Sequence, residues 1–427
     1  MAFEANPLLN STATALVEIE AATPQPPLAF DVIVVGSGPG GATCAWKCAE
    51  AGLRTLILER AATLPRYKPC GGGIPSSLAQ HVTGFDQPED FADLSVTHLR
   101  HSWKGKDPVL ARMENASGAP AAVWMVQRPR FDRYLVDRAE AFGAELRTGV
   151  KVSDVRRESD RMVVTTASGE IFYARHVVGA DGAKGIVGAR AGLRLGKRYG
   201  IAREVEIPFS GGADGGCWHP DLEPHAAYLD YGTVANGYAW IFPKRNCLSV
   251  GAGMLLPKRP AAETEKNVGV VLKRAIDSLL SSVGVPYPEG VDAPRLWAHP
   301  IPFWTGMEPL TTADGGALLV GDAAGVVQPL FGEGIQYAVR TGALAAEHIA
   351  NGTVGGYTDA VRALFADEFD AALRVGRVFH RAPYLSYRLG VKNPAGTRLV
   401  GRLMSGDASL AHLESRIYDR LKNPLRR

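Results

Sequence analysis

One short run constrains the fold of this chain more than any other. Gly36-Ser-Gly38-Pro-Gly-Gly41 has the spacing G-x-G-x-x-G and directly follows the apolar run Asp31-Val-Ile-Val-Val35. The pattern predicts a buried strand, a tight turn, and a helix from Pro39 to Ala51 that stops at Gly52. Residues 53–58 read as a second strand, which makes a β-α-β unit and demands a parallel sheet. Gly36 permits the turn, Gly38 lets the backbone approach a pyrophosphate, and Gly41 lets the helix sit close to the strand. Glu59 ends the second strand, where a carboxylate accepts hydrogen bonds from an adenosine ribose. Together these features predict dinucleotide binding. The competing reading is a glycine-rich turn with no ligand.

The rest of the chain divides by texture. Residues 1–28 are rich in Ala, Thr and Pro, hold no Lys or Arg, and read as a disordered leader rather than a targeting signal. A helix is expected from Arg130 to Phe142, a small antiparallel meander over residues 150–173, and a separate buried strand at His176-Val-Val-Gly-Ala180. Between residues 199 and 257, strand-like runs alternate with Gly, Pro and Asn, as in an antiparallel sheet. A helix follows over residues 266–283, a strand at Ala317-Leu-Leu-Val320 returns to the first sheet, and residues 333–350 form a long helix. The expected organisation is therefore a leader (1–28), a first domain in two parts (29–198 and 291–356), an inserted sheet domain (199–290) and a helical tail (357–427).

Composition closes off several classes. The net charge of +3 gives no reason to expect a nucleic-acid partner. No apolar run reaches the roughly 20 residues needed to span a bilayer. Five cysteines without a C-x-x-C pair support neither a zinc ribbon nor a redox motif, and they fit a reducing, cytoplasmic setting. Charge is nonetheless uneven. Residues 371–427 carry 12 Lys or Arg against 3 Asp or Glu. Arg374, Arg377, Arg381, Arg388, Lys392, Arg398 and Arg402 either dock on anionic lipid or a diphosphate, or form a solvated basic face.

Further motifs stand at later strand ends. Val320-Gly321-Asp322-Ala-Ala-Gly325 places a carboxylate where a ribityl hydroxyl donates, or simply caps a strand-to-helix connection. Residues 329–335 lead into the long helix, whose N-terminus stabilises negative charge. Val178-Gly-Ala-Asp181-Gly182 is another strand end, where Asp181 is alternatively a turn former. Arg128 opens a helix, or is a solvated surface residue.

In this order the motifs resemble the flavoproteins of the p-hydroxybenzoate-hydroxylase-like fold. That resemblance implies an α/β chain with a Rossmann-like FAD-binding domain, an inserted antiparallel-sheet substrate domain and a helical C-terminal tail. Three stretches are similar to the geranylgeranyl reductases in particular. They are Lys68-Pro69-Cys70-Gly71-Gly72-Gly73, Gly237-Tyr238-Ala-Trp240-Ile-Phe242-Pro243-Lys244, and Gly332-Glu333-Gly334-Ile335. The resemblance implies cofactor contacts from Gly36, Gly38, Gly41, Glu59, Arg60, Cys70, Gly71, Gly72, Arg128, Asp181, Asp322, Gly332, Gly334 and Ile335. It implies no metal.

The expected activity is FAD-dependent reduction of isoprenoid C=C bonds, on geranylgeranyl diphosphate, geranylgeranyl-chlorophyll or a prenyl lipid. NADPH or reduced ferredoxin is the expected electron donor. Two rivals are a FAD monooxygenase of an aromatic or polyketide substrate and a flavin-binding protein without chemistry. An isolated alkene cannot accept negative charge, so hydride transfer must be preceded or accompanied by protonation. Cys70 and Tyr67 are the candidate catalytic residues on the loop the family places beside the flavin, although a neutral thiol is a weak acid and Cys70 alternatively only packs. Trp218, Tyr228, Tyr231, Trp240, Phe242, Trp297, Phe303 and Trp304 are candidates to line a prenyl tunnel, or to pack in a core.

Overall fold

The computed structural model describes residues 30–193, 196, 198–209, 218–256, 262–290, 293–303, 306 and 308–413. The expected leader, Trp304 and the last residues of the tail lie outside them.

The opening motif folds as its sequence dictates. Phe30–Val35 forms the first strand, Pro39–Glu50 the first helix and Thr55–Leu58 the next strand. A methyl group on Gly36 would lie 2.5 Å from the Ala180 carbonyl oxygen, and one on Gly41 would lie 2.0 Å from that of Gly36. Both glycines are therefore fixed by backbone packing. Four strands pair side by side in parallel, in the order Glu145–Arg147, Thr55–Leu58, Phe30–Val35 and Ile171–Gly179, and Ala317–Leu319 adds to the last. The edge strand Glu145–Arg147 is mostly exposed, while the apolar runs of the other four are buried on both faces, as a doubly covered parallel sheet requires. The long helix Ile335–Ala350 crosses the first helix so closely that a Gly342 methyl group would strike the Gly40 oxygen at 2.2 Å.

Two local expectations need correction. The meander and the strand after it are not separate, because Ile171–Gly179 is continuous. Its first half pairs antiparallel with Arg161–Thr166 and its second half parallel with Phe30–Val35, so one strand serves both neighbours. The second helix begins at Arg128 rather than Arg130, since Pro129 in its first turn costs no hydrogen bond.

The second sheet is also wider than residues 199–290. Its order is Trp297–Phe303, Arg198–Pro208, Cys247–Leu255, Gly237–Pro243, Ala226–Tyr231, His98–Trp103 and Lys106–Arg112. The four central strands alone would leave two open edges. A hairpin from far upstream and a strand from downstream cover them. One face packs on the helix Ala262–Ser282 through Val205, Ile207, Val250 and Leu272. The other face looks toward the parallel-sheet half of the molecule. Beyond Tyr357–Arg381 the tail continues in shorter helical segments, ending in Pro394–Met404. Among the described residues, no helix is long and apolar enough to cross a membrane.

Candidate active site

A cleft enclosing about 1880 Å³ separates the two halves. Its floor is the free face of the second sheet, and strand alternation decides which side chains reach it. Along Arg198–Pro208, residues 198, 200, 202 and 204 line the cleft, while Ile201, Val205 and Ile207 face the opposite core. Trp240, Phe242, Trp297 and Phe303 supply apolar surface. Trp218, Tyr228 and Tyr231 do not line it; they pack in neighbouring cores.

The loop 68–75 forms one wall. Gly71 lies flat on the floor, where a side chain would meet the Phe242 ring at 3.0 Å. Gly72 has φ +78°, and a methyl group there would lie 2.2 Å from the Val126 oxygen. Cys70 lines the cleft. Tyr67 does not; it is partly exposed and packs against Trp297 with ring centres 5.4 Å apart and planes tilted by 39°. Burial, then the charges of Glu204 and Glu206, push its phenol well above its ordinary range.

The opposite wall begins at the parallel sheet. Gly38 differs from its two partners in the motif. A methyl group there would meet only the Arg66 guanidinium, at 3.5 Å. The first helix has no side-chain cap, so the N–H groups of its first turn face this open side. Those are the features a phosphate bridge needs. Glu59 is buried beside them. Its Oε2 accepts from the Ser37 backbone N–H (3.0 Å) and hydroxyl (2.7 Å), and Oε1 accepts from the Ala61 N–H at 2.8 Å. Burial works against its charge, but the Ala61 N–H, the Arg66 guanidinium and Ser37 together hold its carboxyl below the usual range. Arg66 bridges this region, 3.5 Å from Glu59 and 3.7 Å from Asp132. Arg60 is exposed alongside.

Arg128 is not a solvated surface residue. It is buried, pairs with Asp132 through two hydrogen bonds of 2.8 Å, and reaches the side chain of Cys70. Asp322 lines the cleft and pairs with Lys68 at 3.0 Å, with His299 3.7 Å away. Burial raises its pKa, but Lys68 and the neighbouring His299 outweigh burial and hold it well below the carboxylate range. Gly332, Gly334 and Ile335 complete this wall at the start of the long helix. Gln328 shapes their loop by accepting from the N–H groups of Leu330 and Phe331, and Tyr238 donates to the Phe331 carbonyl from the sheet side. Asp181 follows Ala180 beside the Gly36 turn, where a Gly36 methyl group would lie 3.3 Å from its backbone nitrogen. Its carboxylate accepts from the N–H groups of Ile186 and Val187 at the start of the short helix Val187–Arg190.

Sequence reasoning missed four residues here: Arg66, Lys68 as the partner of Asp322, and the buried pair Glu204 and Lys244. Lys244 is fully enclosed, bonds Glu206 at 3.0 Å and donates to the Cys70 carbonyl at 3.4 Å. Glu204 lines the cleft at 3% exposure. The signal for it was available. Ala202, Glu204 and Glu206 alternate on the face of the strand opposite Ile201, Val205 and Ile207, which puts two acids on the face that looks toward the cleft.

Comparison with known proteins agrees with this geometry. Residues 29–356 match the FAD binding domain family. The geranylgeranyl diphosphate reductase of Rhodobacter capsulatus is 33% identical over 74% of this chain and 74% of its own length. The menaquinone reductase of Mycobacterium tuberculosis is 32% identical over 74% of this chain and 76% of its own. Among solved structures, a geranylgeranyl bacteriochlorophyll reductase-like protein of Thermoplasma acidophilum aligns with a TM-score of 0.65 at 22% identity, over 82% of this chain and 87% of its own. At that identity the likeness speaks for the fold.

Proposed function

The chain belongs to the geranylgeranyl reductase family of FAD-dependent oxidoreductases, and from that premise we propose that it reduces C=C bonds in the prenyl chain of a diphosphate or a lipid. The observation that carries this reading is the cleft floor. It is a broad apolar surface of Trp240, Phe242, Trp297 and Phe303, roomy because Gly200, Ala202 and Gly253 stand between them. A saturated or unsaturated hydrocarbon chain gains from burial there, at about 25 cal/mol per Å² of apolar surface removed from water.

In this reading the turn at residues 36–41 receives the diphosphate of FAD, Glu59 and Arg66 flank its adenosine, and Asp322 faces its ribityl chain. Reduced FAD supplies hydride when bound. The protein's own contribution is to hold the alkene, exclude water and provide a proton. NADPH or reduced ferredoxin is the source of electrons. Anaerobic incubation of the reduced enzyme with geranylgeranyl diphosphate, followed by mass spectrometry, tests the proposal. A gain of one hydrogen molecule per step is expected. A product that forms only in air and carries an added oxygen atom would instead identify a monooxygenase.

We also propose that the tail docks on an anionic bilayer. Val378 (71% exposed), Leu389 (67%), Leu385 and Tyr384 stand out of the surface among Arg377, Arg381 and Arg388. Apolar anchors ringed by cations match anionic lipid. The same helix also supplies Leu373, Gly376 and Arg377 to the cleft, so a lipid-borne chain has a short route inward. Co-sedimentation with vesicles rich in phosphatidylserine at low salt should capture the protein, and Leu385→Asp with Leu389→Asp should release it. Equal recovery of both proteins in the supernatant would remove the membrane role.

A further inference from the structure

A water-poor cleft that reduces an isolated alkene needs its own acid, and this inference rests on the reductase reading above. We propose that Glu204 is the proton donor, delivering a proton from its carboxyl to one alkene carbon as hydride reaches the other.

Register places it for that task. In the second sheet Glu204 stands opposite Trp297 on one neighbouring strand and Gly251 on the other, and Gly251 in turn pairs with Trp240. Paired residues share a face, so all four belong to the cleft floor. A methyl group on Gly251 would lie 2.2 Å from the Trp240 ring, which shows that the indole covers that glycine and comes up beside Glu204. The acid thus sits between two indoles at 3% exposure, beneath the loop that carries Cys70. The Cys70 backbone N–H lies near enough to the carboxyl to favour its charged form. Oε1 has no hydrogen-bond partner among the described residues.

Charge bookkeeping indicates where the proton resides. The charged groups facing Glu204 are Lys244, Glu206 and Arg128. Arg128 is matched by Asp132, and Lys244 is matched by Glu206. Two cations and three carboxyls leave one carboxyl without a counter-ion of its own, and it is the most buried of the cleft's acids. Desolvation, only partly offset by Lys244 and the Cys70 N–H, pushes Glu204 up to about 7. An acid poised there keeps its proton below about pH 7 and gives it up readily near neutral pH.

The step balances. The C=C π pair takes the Glu204 proton at one carbon, and a hydride from reduced flavin forms the C–H bond at the other. Flavin is oxidised by two electrons, the alkene is reduced by two, and Glu204 remains as a carboxylate until solvent reprotonates it.

The test uses holoenzyme reduced without oxygen, mixed with geranylgeranyl diphosphate, with product and flavin reoxidation followed in one turnover. Glu204→Gln should reduce with dithionite like wild type, yet lose at least about 100-fold in alkene-dependent reoxidation, as expected for removal of a general acid. Glu204→Asp should recover part of it. The wild-type rate should fall as pH rises through about 7, and the glutamine variant should lack that limb. Infrared difference spectra of FAD-free protein across the same pH range give a readout apart from turnover. Wild type should show a carboxylic-acid band that titrates away at about pH 7 and that Glu204→Gln lacks, while both proteins keep the band of Glu333, which burial pushes up to about 8. Turnover of Glu204→Gln within about threefold of wild type, or superimposable carboxylic-acid bands in the two proteins, would overturn the assignment. If wild type itself reduces no prenyl alkene, the reductase reading fails and takes this proposal with it.

Discussion

The two sides of the cleft treat carboxylic acids in opposite ways. On the parallel-sheet side, Glu59 is buried and Asp322 half-buried, yet both stay ionised. Glu59 is held by backbone N–H groups and Arg66, and Asp322 by Lys68 and His299. On the antiparallel-sheet side, Glu204 is buried too, but there burial wins and pushes it up to about 7. Desolvation acts on all three, so it does not explain the split. The deciding factor is whether a cation or a set of N–H donors is committed to that carboxyl. A fold that sets acids apart in this way can hold acceptors for a cofactor's hydroxyls on one wall and a proton on the other.

The largest test of this comparison is Lys68→Met. It removes the ammonium paired with Asp322 and leaves that carboxylate in the cleft wall with His299 as its remaining ion-pair neighbour. Breaking such a pair from one side should destabilise the protein by about 3 kcal/mol at pH 7. The sign of the pH dependence follows from the depressed pKa. In wild type, Asp322 contributes stability above the ordinary carboxylate range and loses it as pH falls toward the folded value. The deficit of Lys68→Met should therefore persist down to about pH 4 and shrink as the medium is acidified below it. Urea melts of both proteins at several pH values measure it. A deficit that is constant with pH would mean that Lys68 acts by packing alone.

How much of this was legible in the sequence depends on the range of the rule involved. Gly36 and Gly41 were readable because the constraint is local: each is fixed by backbone within one β-α-β unit. Gly38 was readable for the opposite reason, since the motif needs it empty for a ligand rather than for the chain. Cys70, Gly71 and Gly72 came from family resemblance, and the structure supplies the reason for the glycines in the Phe242 ring and the Val126 carbonyl. Asp181 matched a motif position and sits beside the Gly36 turn, while the local chain fixes its carboxylate through the N–H groups of Ile186 and Val187. Lys68 stood inside a quoted motif, yet its role depends on Asp322, 254 positions away. The upstream hairpin at residues 98–112 gave no sign that it would join the second sheet, because edge pairing is decided in three dimensions. Glu204 is the clearest case. Alternation along its strand could have flagged it, but its neutrality depends on register with Trp297 and Gly251 and on which carboxyl claims Lys244.

The smaller and more discriminating test is the stability of Glu204→Gln. Here the folded pKa, about 7, lies above the ordinary glutamate value of 4.5. The folded protein therefore holds a proton that the unfolded chain has already released. Stability from this group is fully present below 4.5 and is lost as pH rises through about 7. A glutamine side chain cannot ionise, so the variant keeps what wild type loses, and its amide oxygen can still face the Cys70 N–H. The two proteins should be nearly equal at pH 5, and the variant should be the more stable by on the order of 2 kcal/mol at pH 8 to 9. The direction is the reverse of that for Lys68→Met, whose effect fades toward acid. A variant less stable than wild type by the same amount at both ends of the range would place a full charge on Glu204, and the contrast between the two sides of the cleft would collapse.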